Sequence, residues 1–571
     1  LLSEARNEED CRLAGNDEFL EEGLKPIKDY KIACILDEFS YECLKYEAVF
    51  IQLDPERWEI TLSREQADLL FVESAWKGKD SKWREKLGNL LDGKDEIIKN
   101  IVKWCKVHNI PTVFWNKEDP PNFGYFIETA KLFDYVFSTD INCLPSYREI
   151  LGHEKICPLL FAAQPRLHNP VNKNKDKLGQ VAFAGTWYKY KYEDRKEYLE
   201  TLLKPALAYD LHIYNRKPGD NDYEFPDIFE PFIKGSLTYE EMVLTYKKYD
   251  VFLNVNSVVN SPSMFSRRVF ELLACGIPVL SNYSSGIERL FPGLVKFCQT
   301  REDTLLHLQE LLGDKDYRDK LALAGQRKVL NYHTYQERME TVFNKTGLKY
   351  RKENQAGISV ICCTNGSNKF KQIMDNFLRQ KYLKKELIVL LSSNNLSHLE
   401  YWENQCRQHN NIQVYLKDEF SSGIEQVEYQ YLANFDDGSY YAADFLVDLM
   451  HAFVYTDADI VGKCTYYTYI SGSKNLALRN PGMENRYVKF LHSPTIVMKK
   501  EVFDRVNFNN KSWGRFLKKC KKIGFKLYSI DRFNYISAGH TPDYNYNWKI
   551  NGIDYQKTVS YIDDPVKYVS A

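Results

Sequence analysis

The chain has no apolar run long enough to cross a bilayer, no short-period repeat and no low-complexity segment. It has no CxxC pair and no Cys/His spacing suited to zinc, which removes the common thiol-redox and zinc-finger readings. It also lacks an excess of either charge. The 77 Lys and Arg residues and 78 Asp and Glu residues are interspersed and leave a formal net charge of -1. A polyanion-binding face is therefore not expected, and neither is a nucleic-acid partner. The 13 cysteines are odd in number and unpatterned apart from Cys362-Cys363, which reads as reduced thiols in a cytoplasmic protein. A secretory leader is not expected from the polar opening residues, and with no initiator Met some N-terminal trimming is expected.

What is present is ordinary for a globular protein, with 44% apolar and 27% charged residues over 571 positions, too long for one hydrophobic core. Two to four domains are expected. Aromatic content is high at 14%, with 40 tyrosines. Tyrosine suits sugars, whose apolar face stacks on the ring while the hydroxyl bonds, and it equally fills large α/β cores.

Residues 1–30 are acidic and polar. After them, "KIACILD", "AVFIQL", "ADLLFVES", "PTVFWNK" and "YVFSTD" are short apolar runs that end in polar residues, separated by helix-period stretches such as 95–109 and 123–133. This alternation predicts a doubly wound parallel sheet over 31–172, with ligands at the C-terminal strand ends. A Pro/Asn/Lys-rich connector, 168–180, precedes a second such unit, 173–350. A polar stretch at 349–357 precedes a third α/β unit, 357–571. The fold class expected is thus α/β, with two Rossmann-like doubly wound domains and a further α/β domain.

In the second unit, "VAFAGTWY" brings a strand to Gly185, where a bare backbone lets a phosphate approach. In "NVNSVVNSPSMFSRRVFELLACGIPVLSN", a strand ends at Asn254 and Asn256, and a helix is expected from near Ser263. Its start would carry unpaired N–H groups with Ser266, Arg267 and Arg268 in the first turns, and arginine forks bind phosphate oxygens in pairs. Glu271 lies within an apolar run and needs partners there. Ribose hydroxyls would serve, and so would an ion pair with Arg267 or Arg268.

These segments, together with "ILDEFSYEC", "VESAWKG", "IPTVFWNKEDP", "FDYVFSTD", "FAGTWYKYKYEDR" and "NYHTYQERM", resemble the spore-maturation-type glycosyltransferases of the two-domain GT-B fold over about 31–347. The resemblance implies a nucleotide-sugar donor, foremost a UDP-sugar, on the second domain and an acceptor and base on the first. It places Gly185 and Arg195 beside the diphosphate, Ser266, Arg267 and Arg268 near it, and Glu271 on the ribose. Transfer between hydroxyls needs a base and a stabilised leaving group. Candidate bases at strand ends are Asp37, Glu73, Glu118 and Asp119; His168, in the connector, is more readily a hinge residue. Cationic side chains would serve the leaving group, so no metal is expected at this site. The chemistry is expected in the cleft between the first two domains.

The third unit resembles family 2 GT-A glycosyltransferases through "ISVICCTNGSNKFKQIMDNFLRQKYLKKELIVLLSSNN" and "NFDDGSYYAADFLVDLMHAFVYTDADIVGK". It departs from them at three positions. "LLSSNN" has no acid for the nucleotide base, Gly438 stands where a second metal-binding carboxylate belongs after Asp436 and Asp437, and "NKSWGR" has no catalytic acid. A degenerate module is expected, binding acceptor glycan or making a homodimer contact. Two alternatives stay open: a bifunctional enzyme using Mg2+ or Mn2+ at Asp436 and Asp437, and a non-catalytic nucleotide-sugar- or glycan-binding scaffold. The acceptor expected is a glycan, a cell-surface polymer or a protein.

Overall fold

The computed structural model describes residues 23–90, 96–190, 193–392, 396–417, 426–470, 475–506, 513–538, 557–559 and 564–571. Most of the polar 1–30 segment, and parts of the "LLSSNN" and "NKSWGR" stretches, lie outside them. The chain divides into two compact units. One is Leu1–Phe114, Phe126–Val136 and Met339–Asn354; the other is Trp115–Tyr125, Phe137–Arg338 and Gln355–Ala571.

The first sheet contains β1 (Lys31–Ile35), β2 (Val49–Gln52), β3 (Leu69–Glu73), β4 (Thr112–Asn116), β5 (Tyr135–Ser138) and β6 (Ile156–Pro158), in the order β2-β1-β3-β4-β5-β6. β1 runs parallel to both β2 and β3. The second sheet contains β7 (Val181–Gly185), β8 (Leu211–Asn215), β9 (Val251–Asn254), β10 (Val279–Ser281) and β11 (Lys296–Phe297), in the order β11-β10-β9-β7-β8, with every pairing parallel. β3, β4, β7 and β9 are buried along their whole length. That explains their unbroken apolar sequences, because a doubly wound sheet is covered on both faces. The expectation of two parallel Rossmann-like sheets holds.

Where chain and prediction part is the helix after β9. It spans Arg268–Ala274, seven residues, and does not begin near Ser263. The preceding residues are held in a loop by other bonds. Ser261 Oγ donates to Asp140 (2.6 Å), Ser263 Oγ donates to the Thr139 carbonyl (2.9 Å) and accepts from Ile141 N (2.9 Å), and Ser266 N donates to Asn256 Oδ1 (2.9 Å). Ser266 and Arg267 therefore precede the helix, and Ser266 N is already satisfied.

The third region is mixed. β12 (Ile358–Thr364), β13 (Lys385–Leu391), β14 (Ile412–Leu416) and β15 (Tyr431–Asp436) form a parallel run in the order β14-β13-β12-β15. It continues through Val497–Lys499, antiparallel to β15, then Ile460–Gly462, Leu527–Ser529 and Arg486–Tyr487. A five-stranded sheet that includes Tyr466–Ile470 and Tyr535–Ala538 accompanies it.

This region is bonded to the helices that follow the second sheet. On the Lys315–Tyr332 helix, Arg327 donates from Nε (2.8 Å) and Nη2 (3.0 Å) to Asp448, on the Phe445–Tyr455 helix, and from Nη1 to the Ala571 carbonyl (3.1 Å). Arg532, 4% exposed, bonds Asp316 and Asp319 of the same Lys315–Tyr332 helix, with 2.8 Å to Asp319. The connector is held as well. Asn172 N donates to the Asn485 carbonyl (2.7 Å) and Asn174 N to that of Lys247 (2.9 Å). Among the described residues the 12 cysteines present are all free thiols, and no helix is long and apolar enough to cross a membrane.

Candidate functional site

β7 ends at Gly185, where only glycine fits, since a Cβ would lie 2.5 Å from Cζ of the Phe183 ring on the same strand face. The Gly185 carbonyl accepts from Arg216 N (3.1 Å), the residue directly after β8. Arg216 is exposed and lies within electrostatic reach of Arg267 and Arg268. Crowding by protein atoms, then the Arg268 and Arg267 guanidiniums, lowers its pKa. Arg268 Nε is buried with no hydrogen-bond partner among the described residues. Three guanidiniums thus lie within electrostatic reach of one another near the C-terminal ends of β7 and β8, where a parallel sheet takes its ligand. Arg195 lies against the next strand end, donating from Nη1 to the Val255 carbonyl (3.0 Å) and to Ser257 Oγ (3.2 Å).

Asn256 organises the loop. Its Nδ2 donates to Ser281 Oγ (3.0 Å), and its backbone N donates to Asn282 Oδ1 (2.8 Å). With Ser266 N on its Oδ1, this side chain is a brace between β9, β10 and the arginine-bearing turn.

Glu271 is 2% exposed. Its oxygens accept from Tyr239 (3.1 Å), Tyr246 (2.9 Å) and Arg267. Burial pushes its carboxyl up, but Arg267 foremost among its neighbours outweighs that, and the pKa ends below the ordinary value. The ion pair weighed for this residue therefore exists, to Arg267, and burial of Glu271 does not require a ribose. His168 is fully buried and fixed, not swinging on a hinge. Its Nδ1 accepts from Gln164 N (3.0 Å), so the Nε2 proton faces Tyr239 Oη (2.9 Å). Burial lowers its pKa to about 4, so the imidazole is neutral at physiological pH. His168–Tyr239–Glu271–Arg267 is one hydrogen-bonded chain that aims the arginine. Tyr239, Tyr246 and Arg216 were not singled out from sequence. The polar ending of "LHIYNR" was a signal for Arg216, while nothing local marks the two tyrosines.

The base candidates fall into two separate clusters. In one, the Asp37 carboxylate accepts from the backbone N–H groups of Trp76 (3.2 Å), Lys77 (3.0 Å) and Gly78 (2.8 Å), and Glu73 Oε1 accepts from Asp37 N (2.6 Å). In the other, Asp119 is fully buried and accepts from Asn116 Nδ2 (2.7 Å), Ser138 Oγ (2.5 Å) and Tyr147 Oη (3.4 Å). Burial raises its pKa to about 7 despite those donors. Glu118 is half-buried beside it and accepts from Asn122 Nδ2 (3.3 Å).

The Asp436-Asp437 turn is closed on itself. Asp436 Oδ1 accepts from Gly438 N (3.1 Å), its Oδ2 accepts from Ser439 Oγ (3.0 Å), and Asp437 accepts from Thr364 Oγ1 (2.8 Å). Gln372 and Asn376 hold the carbonyls of Gly438 and Ser439, and the Phe435 and Tyr441 rings stack at 3.8 Å. With Gly438 offering no side chain, these residues do not fit a divalent cation, which needs several free oxygens. Among the described residues no group of three or more His, Cys, Asp and Glu could hold a metal.

Residues 195–344 match the model of the glycosyl transferase-like family. No curated protein matches the chain. Sucrose-phosphate synthase from Thermosynechococcus elongatus is 13% identical over 51% of this chain and 76% of that one, with a TM-score of 0.35. S. aureus TarS 1-349 in complex with UDP-GlcNAc is 16% identical over 32% and 59%, at 0.27. The mannosyltransferase PcManGT from Pyrobaculum calidifontis in complex with GDP-Man and Mn2+ is 14% identical over 40% and 69%, at 0.25. These likenesses are distant. The matched segment holds Arg195, Asn256, Ser266, Arg267, Arg268 and Glu271, and it is over this segment that the chain is glycosyl transferase-like.

Proposed function

We propose that the enzyme transfers a sugar from a nucleotide-sugar donor, foremost a UDP-sugar, to a hydroxyl of a glycan, cell-surface polymer or protein acceptor, and that the donor diphosphate lies against Arg216, Arg267 and Arg268. The observation that carries this reading is three guanidiniums within electrostatic reach of one another near two parallel strand ends, with the buried Arg268 Nε unpartnered among the described residues. Like charges gathered in one place are relieved by an anion. The same cations would stabilise the departing diphosphate, the task a metal performs in other transferases, so the reaction is proposed to need none. The roles of the chain's own residues follow: Arg268 and Arg216 hold phosphate oxygens, the His168–Tyr239–Glu271 chain orients Arg267, and Asn256 braces the turn. The third region is read as keeping its fold without a reaction, because the carboxylates of Asp436 and Asp437 are bonded within their own surroundings.

The test is calorimetric binding of UDP and GDP to the full chain and to Arg268→Ala. Loss of a charged hydrogen-bond pair costs about 1.5–3 kcal/mol, so affinity should fall by roughly 10- to 100-fold. Equal affinity in the two proteins would refute the placement.

A further inference from the structure

Charge balances over the whole chain but not on the Trp513–Ile523 helix of the third region. The stretch "WGRFLKKCKKIGFKL", 513–527, holds six cations and no acid. Phe516, Leu517 and Cys520 are buried and join a core cluster with Val502, Val506 and Leu527, which fixes the side of the helix that faces inward. At about 3.6 residues per turn, Arg515, Lys518, Lys519, Lys521 and Lys522 fall on the opposite side. All five are exposed. Among the described residues no carboxylate pairs with any of them, and Lys519 Nζ reaches the Val506 carbonyl (2.6 Å). The sixth cation, Lys526, is paired with Asp457. The helix packed alongside, Lys500–Val506, carries Glu501 and Asp504 but also Lys500 and Arg505, so it brings no net countercharge. An apolar side chain borders the basic side. The helix ends at Gly524, with φ of 106°, and Ile523, one turn after Lys519, is 53% exposed next to half-buried Phe525.

Five like charges side by side repel one another, and a surface of opposite sign relieves them. The make-up of the face says which surface. Four of the five cations are lysines, whose ammonium is a compact, hydrated charge that asks for no fixed geometry, unlike the planar arginine fork that reads single phosphates and bases. No exposed aromatic ring lies among them on this helix for a base to stack on. A diffuse layer of negative headgroups suits such a face better than a nucleic acid does. The exposed Ile523 has a place there too, since an aliphatic side chain at the edge of a basic face enters the boundary between headgroups and acyl chains. We infer that the outer side of the Trp513–Ile523 helix is a docking surface for a bilayer containing anionic lipid. Phe516, Leu517 and Cys520 stay in the core, so the helix does not insert; it adsorbs through its charges, and salt releases it. This gives the third region a task, holding the chain at a membrane surface, that needs no reaction at Asp436 and Asp437.

The probes are vesicles of one-quarter phosphatidylglycerol in phosphatidylcholine and vesicles of phosphatidylcholine alone, sedimented with the full chain. Raising NaCl from about 50 mM to about 500 mM shortens the reach of charge about threefold. The chain should sediment with the anionic vesicles at the lower salt, be released at the higher, and stay in solution with the neutral vesicles. Each cation near an anionic surface strengthens adsorption about fivefold, so Lys518→Gln/Lys521→Gln/Lys522→Gln should weaken it by about 100-fold. Glutamine is a good helix former and the three side chains are exposed, so the variant should keep the parent's thermal midpoint. Should it not fold, Arg515→Gln/Lys518→Gln serves, with an expected loss of about 25-fold. Three results overturn the proposal: no adsorption to the anionic vesicles, equal adsorption to both kinds, or adsorption that the folded variants retain. Binding of a short DNA duplex without vesicle adsorption also overturns it and makes the face a nucleic-acid contact. UDP plays no part in this test, which stands whether or not the donor reading does.

Discussion

Asp119→Asn separates two forces that act on one carboxyl. Burial disfavours the charge, while Asn116, Ser138 and Tyr147 donate to it, and the balance puts its pKa at about 7 against an ordinary 3.8. Below pH 3.8 both folded and unfolded chains hold the proton, and the group does not bias folding. As the pH rises, the unfolded chain releases its proton near 3.8 and the folded chain keeps it to about 7, so stability falls through that window and stays low above it. At 1.36 kcal/mol per pH unit, the full penalty at pH 8 is about 4 kcal/mol. An amide does not ionise, so the variant escapes the penalty, less about 1 kcal/mol because its NH2 group meets a hydroxyl that had been donating. The variant should therefore be more stable than the parent at pH 8 by about 3 kcal/mol at most, a rise of roughly 5 °C in thermal midpoint for the unit concerned. At pH 4 the advantage should vanish. Midpoints taken at pH 4, 6 and 8 on both proteins test this. Parallel pH slopes would refute it and show that the three donors hold Asp119 ionised throughout.

Arg327→Ala should destabilise the chain by about 3–5 kcal/mol, because it leaves Asp448 buried with its main cation gone; a thermal midpoint close to the parent's would contradict this. Gly438→Asp should fold normally, since an added Cβ meets only Ala538 Cβ at 3.5 Å and Asp436 Oδ1 at 3.8 Å. It should also gain a Mn2+-dependent rise in midpoint that the parent lacks. No Mn2+ response in the variant would mean that Asp436 stays bonded to its own turn. Sugar transfer should survive EDTA. Activity lost on chelation and restored by Mg2+ would overturn the metal-free reading.

The alternation of short apolar runs with helix-period segments was enough to read two doubly wound sheets and a third α/β region, because strands covered on both faces must be apolar throughout. The strand-end position of Gly185 and the arginine pair at 267–268 were legible for the same reason: periodicity locates where a strand stops. What a side chain bonds after that point depends on residues distant in the chain. Glu271 is paired by Arg267 four residues away and by Tyr239 and Tyr246 some thirty residues away, on a helix whose local sequence gives no sign of it. The Ser263 helix start failed because Asp140, Thr139 and Ile141 hold the preceding serines in a loop, contacts about 120 residues apart in sequence. The third arginine, Arg216, likewise comes near Arg267 and Arg268 only when separate segments converge. Period and polarity are local properties and set the elements of this protein. Charge pairing is a property of packed surfaces, and only the tertiary structure decided it.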